Sequence, residues 1–305
     1  MPLKKMRLSF IRPGLFVIIG IMPTISFAQS CRPVETDDQE CCPVAPGVYK
    51  SLFNDPNAWY RFRLTYELGL IGVLQNTIQF SQSGTKIDYI NDGGEDILLP
   101  FDRYTAEVQM KDRHNVILLY QPLEVITRAF LNRDLIVDNL TFPAGTAMEF
   151  KYGFSFWRVS YLYDFNPDPE KEIAIGASFQ IRNASIQFAS LDGQLFRTNQ
   201  NIGPVPILKF RTRLPVGNTM WWGSEVDGFY ADGKYITGSK ADFVGAIYDA
   251  SLRVGFRLNY FDPYLNLRFV GGGARGTQDT PPRPGDGFTD NWLHTFSLTL
   301  GFALK

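Results

Sequence analysis

The feature that most constrains this chain is a period of two that begins near residue 58 and persists to the C-terminus. Tyr60, Phe62, Leu64, Tyr66 and Leu68 alternate with Arg61, Arg63, Thr65 and Glu67. Tyr104, Ala106, Val108 and Met110 alternate with Thr105, Glu107, Gln109 and Lys111. Met148, Phe150, Tyr152 and Phe154 oppose Glu149, Lys151, Gly153 and Ser155. Near Phe156-Trp157 the phase slips by one, which reads as a β-bulge, and Trp157, Val159, Tyr161 and Tyr163 then take the apolar face. The same alternation runs through Ile173–Ile181, Leu208–Phe210, Val244–Leu258, Leu265–Phe269 and Trp292–Phe302. Amphipathic strands with no helical period between them predict an all-antiparallel sheet.

Such a sheet must close or stack, and the makeup of its apolar face selects the solvent. That face is rich in Tyr, Trp and Phe, and the opposite face carries many charges. A soluble barrel would put Val, Ile and Leu inside. A transmembrane barrel inverts the arrangement, with apolar groups in lipid, polar groups in the lumen and aromatics at the two interfaces. Connection lengths agree. Short turns fall at Lys111–Arg113, Pro167–Lys171, Pro215–Asn218 and Asp262-Pro263, with longer polar loops near 91–102, 129–143, 189–202, 233–242 and 272–290. Counting back from the C-terminus gives ten strands starting near 76–90. Segment 58–73 is either an extension of the first strand or a further pair, so ten to twelve strands are expected, in even number.

The N-terminus reads as a secretion signal over residues 1–28: Lys4, Lys5, Arg7 and Arg12, an apolar stretch Phe16–Met22, and Ser26-Phe27-Ala28 before the cleavage point. The apolar run is too short for a spanning helix, which needs about 20 residues. A lipoprotein signal would need Leu three residues before Cys31, where Ala28 stands. Removing the signal takes away four basic residues from 30 and none of the 31 acidic ones, leaving an acidic mature chain. That balance argues against nucleic acid as a partner. Residues 29–57 then form a periplasmic leader with Cys31, Cys41 and Cys42 as disulfide candidates. Adjacent cysteines rarely bridge, so Cys31 would join one of the other two. Two His and three Cys leave little for a metal site, and no cofactor is expected.

The signal, the strand pattern and the terminal segment Phe296-Ser-Leu-Thr-Leu-Gly-Phe302-Ala-Leu-Lys305 together resemble a Gram-negative outer-membrane β-barrel protein. The last strand is similar to the one that the barrel-assembly machinery recognises in that class, although it ends in Lys305 rather than an aromatic residue. Gly84–Asp88, Asp92–Asp96 and Arg113-His114 are similar to a porin-like group of such barrels without assigned function. The resemblance implies an integral outer-membrane barrel over 58–305, whose partners are outer-membrane lipid, lipopolysaccharide and the assembly machinery.

With one facing throughout, the lumen would collect Arg61, Arg63, Lys151, Arg158, Arg182, Lys209, Arg211, Arg213, Arg253, Arg257 and Arg268 against Glu67, Glu107, Glu149, Glu225, Asp227 and Asp249. A barrel of about eight strands has room only for side chains, and about sixteen or more leave an aqueous channel. Ten to twelve strands leave two readings open: a lumen filled by ion pairs, or a narrow pore whose basic surplus favours small anions. Adhesion or reception through the long loops is the alternative from another class. A lipid A-modifying enzyme is a third, weakened because His114 lies at the short-turn end and His294 shares the lipid-facing parity of Trp292 and Phe296, opposite to Ser297. The acids Asp92, Glu95, Asp96, Asp286 and Asp290 lack a Ca²⁺-loop spacing and read as solvated loop residues. Gly271-Gly-Gly273 beside Arg275 lacks the context of a phosphate loop and reads as a flexible loop start. Pro281–Pro284 reads as a stiffener.

Overall fold

The structure, a computed structural model, describes residues 51–55, 58–166, 168, 170–233, 243–277 and 285–305. The signal segment, Cys31, Cys41, Cys42 and Pro281–Pro284 lie outside the described residues. The elements are β1 (Tyr60–Phe80), β2 (Ile87–Asp88), β3 (Leu98–Met110), β4 (His114–Gln121), β5 (Glu124–Phe130), β6 (Leu135–Val137) and β7 (Leu140–Phe142). They continue with β8 (Ala147–Asp164), β9 (Glu172–Ser190), β10 (Phe196–Val216), β11 (Met220–Asp232), β12 (Phe243–Phe256), β13 (Phe261–Thr277) and β14 (Phe288–Leu304). Among the described residues no helix is long and apolar enough to cross a membrane.

Neighbours in sequence pair antiparallel around the ring, and β14 pairs with β1 to close it. β4 and β5 occupy one position beside β8 in a single continuous register, interrupted at Pro122, which has no N–H for the ladder. The ring therefore has ten strands. Residues 60–73 are the lower part of β1, not an extra pair. β2 adds to β1, and β6–β7 form a separate hairpin.

Both described chain ends and the short turns share one rim. There Lys111 N–H donates to Trp59, Leu52 N–H to Lys305, and Lys305 N–H to Tyr260. Lys111 and Asp112 both hold positive φ (49° and 59°), the backbone of a tight hairpin turn. The other connections are shorter than the composition suggested. β3 begins at Leu98, β10 at Phe196, and β13 runs to Thr277, so 98–102, 196–202 and 272–277 are strand. Asp262-Pro263 also lies within β13, the turn coming just before it.

Facing inverts along the barrel axis. In the half nearer the short turns, Leu68, Leu70, Leu118, Val159, Ile175, Phe179, Leu252, Leu298 and Leu300 point outward. Tyr66, Tyr104, Tyr120 and Trp157 stack side by side across β1, β3, β4 and β8 on the outer face, with ring centroids 5.1, 6.3 and 4.4 Å apart. The interior of that half is polar. In the other half the interior is apolar: Ile78, Phe80, Phe150, Tyr152, Ile186, Phe188 and Leu293 form a buried cluster. Outward positions there include Gln75, Thr77 and Gln79 on β1 and Gln187 on β9, together with exposed Ile126 and Phe130 on β5 and Phe196 and Ile202 on β10.

This overturns the bulge expected near Phe156. β8 pairs with β9 from Met148–Ser190 to Asp164–Ala174 without a register shift. Met148, Phe150 and Tyr152 therefore point inward, while Trp157, Val159 and Tyr161 point outward. The physical reason is strand length. A spanning strand needs about 9–11 residues, and β1 and β10 have 21 each. The surplus stands in water, where a barrel buries its apolar face inside.

Two inward segments fill that apolar half. The stretch between β1 and β3 sets Tyr89 edge-on against Phe150 and Tyr152, at 5.8 and 5.6 Å. The β6–β7 hairpin adds Leu135, Val137 and Phe142 to the same cluster. The two segments are tied together, since Thr85 N–H donates to the Ile136 carbonyl and Ile136 N–H to the Thr85 hydroxyl.

Candidate functional site

Below the apolar plug, side chains from most of the ring meet in one ion-pair web. Arg103 donates to Asp249 at 3.1 Å and to Gln121 at 2.8 Å. Arg158 reaches Asp227 at 2.6 Å and Asp249 at 3.0 Å, with Gln180 accepting from its other edge. Arg268 pairs with Asp249 at 2.5 Å. Lys209 bridges Glu225 and Asp227 at 2.9 and 3.0 Å. Glu67 accepts from Tyr264 Oη at 2.7 Å and Asn266 Nδ2 at 3.2 Å. All of these ionic groups are buried. The four cations Arg103, Arg158, Lys209 and Arg268 face the four acids Glu67, Glu225, Asp227 and Asp249, so this layer is neutral. A buried charge without a partner costs several kcal/mol, about 3–5 when one member of a pair is removed, and balance of this kind is what a filled interior requires.

A second layer lies closer to the short-turn rim. Arg211 forks onto Glu107 at 2.7 and 3.0 Å and reaches Glu172. Arg213 pairs with Asp262 at 2.5 Å and lies 4.2 Å over the Trp221 ring. Arg253 pairs with Glu225 at 3.2 Å, and Arg63 stands 3.7 Å from Glu107. All of these except Asp262 line a cavity of about 60 Å³.

The residues singled out from sequence therefore divide. Glu67, Glu107, Lys209, Arg211, Arg213, Asp249, Arg253 and Arg268 are brought together inside the barrel, with Arg63 at the cavity wall. Arg182 points inward between the charged and apolar halves, paired across strands with Phe156. Arg257 sits at the rim and holds Glu170 at 3.0 Å. Three expected lumen residues lie elsewhere. Arg61 is exposed at the rim, paired with Asp112 at 2.9 Å. Glu149 and Lys151 are on the outer face, paired with Arg128 at 2.7 Å and Glu124 at 2.8 Å. They fall in the water-exposed half, where the polar side is outside. Arg103, Glu172 and Asp262 were missed. Arg103 shares the parity of Glu107, but it directly follows the stretch 91–102 that reads as loop.

The carboxylates of Glu225, Asp227 and Asp249 lie close enough for one cation to touch all three. Lys209, Arg158, Arg103, Arg253 and Arg268 already pair with every one of these oxygens except Asp227 Oδ1, so the site is filled by cationic side chains and the donor set does not fit a metal. The loop acids are also engaged. Asp92 pairs with Arg133 at 2.8 Å, and Asp286 accepts from Gln82 and Phe288 N–H groups. Glu95 is buried, accepting from Asn76 at 2.8 Å. Burial pushes its carboxyl up to about 7, with nearby Asp88 adding to the rise and the Asn76 bond opposing it.

His294 lies on the outer face, 3.0 Å from the Tyr248 hydroxyl and stacked on that ring. His114 is 2.7 Å from Tyr161 Oη. The glycine triplet is strand, not a loop start. A Cβ on Gly271 would come within 2.6 Å of His294 Nδ1 and Tyr248 Oη, so the bare backbone lets both rings lie across β13.

No family model and no curated protein matches the chain. Solved structures that resemble it include Ail of Yersinia pestis in complex with the heparin analogue sucrose octasulfate. It shares 8% identity, covering 80% of this chain and 99% of that one, at TM-score 0.35. The outer membrane protease OmpT of Escherichia coli shares 8% over 80% and 96%, at TM-score 0.45. The toluene transporter TodX of P. putida shares 8% over 82% and 91%, at TM-score 0.30. The fold is read from the strands themselves: a closed ring, apolar outside and polar inside in the half nearer the short turns, is a transmembrane β-barrel of the outer-membrane type.

Proposed function

We propose that this protein is a structural outer-membrane barrel, closed at rest, and not an open channel. The observation that carries this reading is the neutral web around Asp249, where Arg103, Arg158 and Arg268 converge from β3, β8 and β13. An anion pathway through it would have to break several buried, charge-assisted bonds at once. The apolar plug above the web adds a second barrier. No catalytic step is proposed through His294, because its partner is Tyr248 and Ser297 is buried on the opposite face. The test is solute uptake by liposomes carrying the folded protein. Swelling rates in arabinose and in glutamate should match protein-free liposomes, and faster swelling in either would overturn the reading.

A second reading has its own support. Strands of 21 residues raise a β-walled head above the bilayer, whose surface mixes polar residues with exposed Phe130, Phe196 and Ile202, a shape suited to contact with molecules outside the cell. Deleting residues 278–284 should then lower cell-surface binding while leaving the folded barrel intact. Equal binding by both forms would count against this loop as the contact.

A further inference from the structure

We propose that the cavity at the short-turn end is a binding site for one small oxyanion of the phosphate or sulfate class. Trp221 carries the inference. It is 5% exposed and lines the cavity, and its indole N–H is buried without an acceptor. Two further donors on the same wall, Arg213 Nε and Arg253 Nε, are in the same condition. Each guanidinium is anchored elsewhere. Arg213 is held by Asp262 at 2.5 Å and by the Trp221 ring, and Arg253 by Glu225 at 3.2 Å over the Tyr264 ring. Anchoring of that kind fixes both side chains with an unused donor left over, the preorganisation that favours an incoming ligand.

Most acceptors nearby are spent, Glu67 Oε2 being the one cavity-lining carboxylate oxygen left buried without a partner among the described residues. Arg211 saturates Glu107 bidentately, and Lys209 with Arg253 takes Glu225. Six cations and four acids line the cavity, and two of those cations, Arg103 and Arg213, are matched by Asp249 and Asp262 just behind the wall. A ligand that meets three N–H donors, two of them on guanidinium groups, must present acceptors, and negative charge strengthens each of those bonds. Size limits it further. At roughly 10–15 Å³ per water, a cavity of about 60 Å³ holds a group of a few heavy atoms, as in a tetrahedral oxyanion. The neutral web roofs the cavity, so the anion binds and does not pass. Binding at equilibrium goes beyond the closed-barrel reading and is measured without reference to conduction.

The test is isothermal titration of the folded full-length protein in micelles with inorganic phosphate, at constant ionic strength, with chloride and acetate as comparison ions. The expected result is saturable one-to-one phosphate binding, at least about tenfold tighter than chloride. R213Q and R253Q should each weaken it about tenfold or more, the loss of one charge-assisted bond. W221F, which keeps an aromatic ring under Arg213 while removing the N–H donor and some ring volume, should weaken it severalfold and serves if an Arg variant fails to fold. Acetate binding as tightly as phosphate would reassign the ligand to carboxylates and overturn the tetrahedral class. Phosphate binding no tighter than chloride, or unchanged in W221F with heat-modifiable gel mobility intact, would overturn the site itself.

Discussion

Arg103 on β3 and Asp249 on β12 stand 146 residues apart in the chain and meet at 3.1 Å inside the barrel. Asp249 is fully buried and also accepts from Arg158 and Arg268, so three guanidinium groups depend on one carboxylate. Asp249→Asn would leave those cations underpaid by one charge. Urea unfolding in vesicles should show a loss of about 3–5 kcal/mol. A loss below about 1 kcal/mol would mean that water reaches this layer freely.

The inversion of facing makes a labelling prediction. Cysteine at Lys151 should react with a water-soluble maleimide added outside intact cells, because Lys151 is on the outer wall of the water-exposed half. Cysteine at its neighbour Tyr152, packed against Tyr89 inside the plug, should stay unreactive. The reverse order would restore a single facing along β8.

That inversion also marks how far the sequence could be read. Period two has no sign. Met148, Phe150 and Tyr152 alternate just as Trp157, Val159 and Tyr161 do, and only height above the bilayer decides which set turns inward. The closed ring, its antiparallel order and most of the charged interior follow from alternation and turn spacing. The phase change near Phe156 is visible in the sequence, but it marks a change of solvent and not a bulge. The plug was not legible, because its segments between β1 and β3 and between β5 and β8 are short apolar pieces set among turn residues. Arg103 was legible by parity with Glu107 and was lost only because the stretch before it resembled loop.

Glu95 gives the plug a pH dependence. Its carboxyl is raised from an ordinary 4.5 to about 7 in the folded state. Between those values the folded protein holds a proton that the unfolded chain has released, so stability falls as pH rises through that window. Protease cleavage within residues 81–97 should therefore quicken from pH 5 to pH 8 relative to an exposed reference site. Glu95→Gln should flatten that profile, and a profile unchanged by the substitution would remove Glu95 as its source.

Tyr89 separates packing from hydrogen bonding. Its ring meets Phe150, Tyr152 and Phe188, while its hydroxyl is buried without a partner. Tyr89→Ala should cost about 3–5 kcal/mol through the cavity it leaves. Tyr89→Phe should be neutral or stabilising, since it removes an unsatisfied polar group. Equal losses in urea titrations of the two variants would show that the hydroxyl, and not the ring, holds the plug.

The central claim is that the interior is closed, and single-channel recording in a planar bilayer tests it most directly. The folded wild-type protein should give no discrete conductance steps, while Asp249→Asn, with the web weakened, should give intermittent ones. Regular steps from the wild type, with a reversal potential displaced toward anions, would contradict the account and make the Arg-rich interior a selectivity filter.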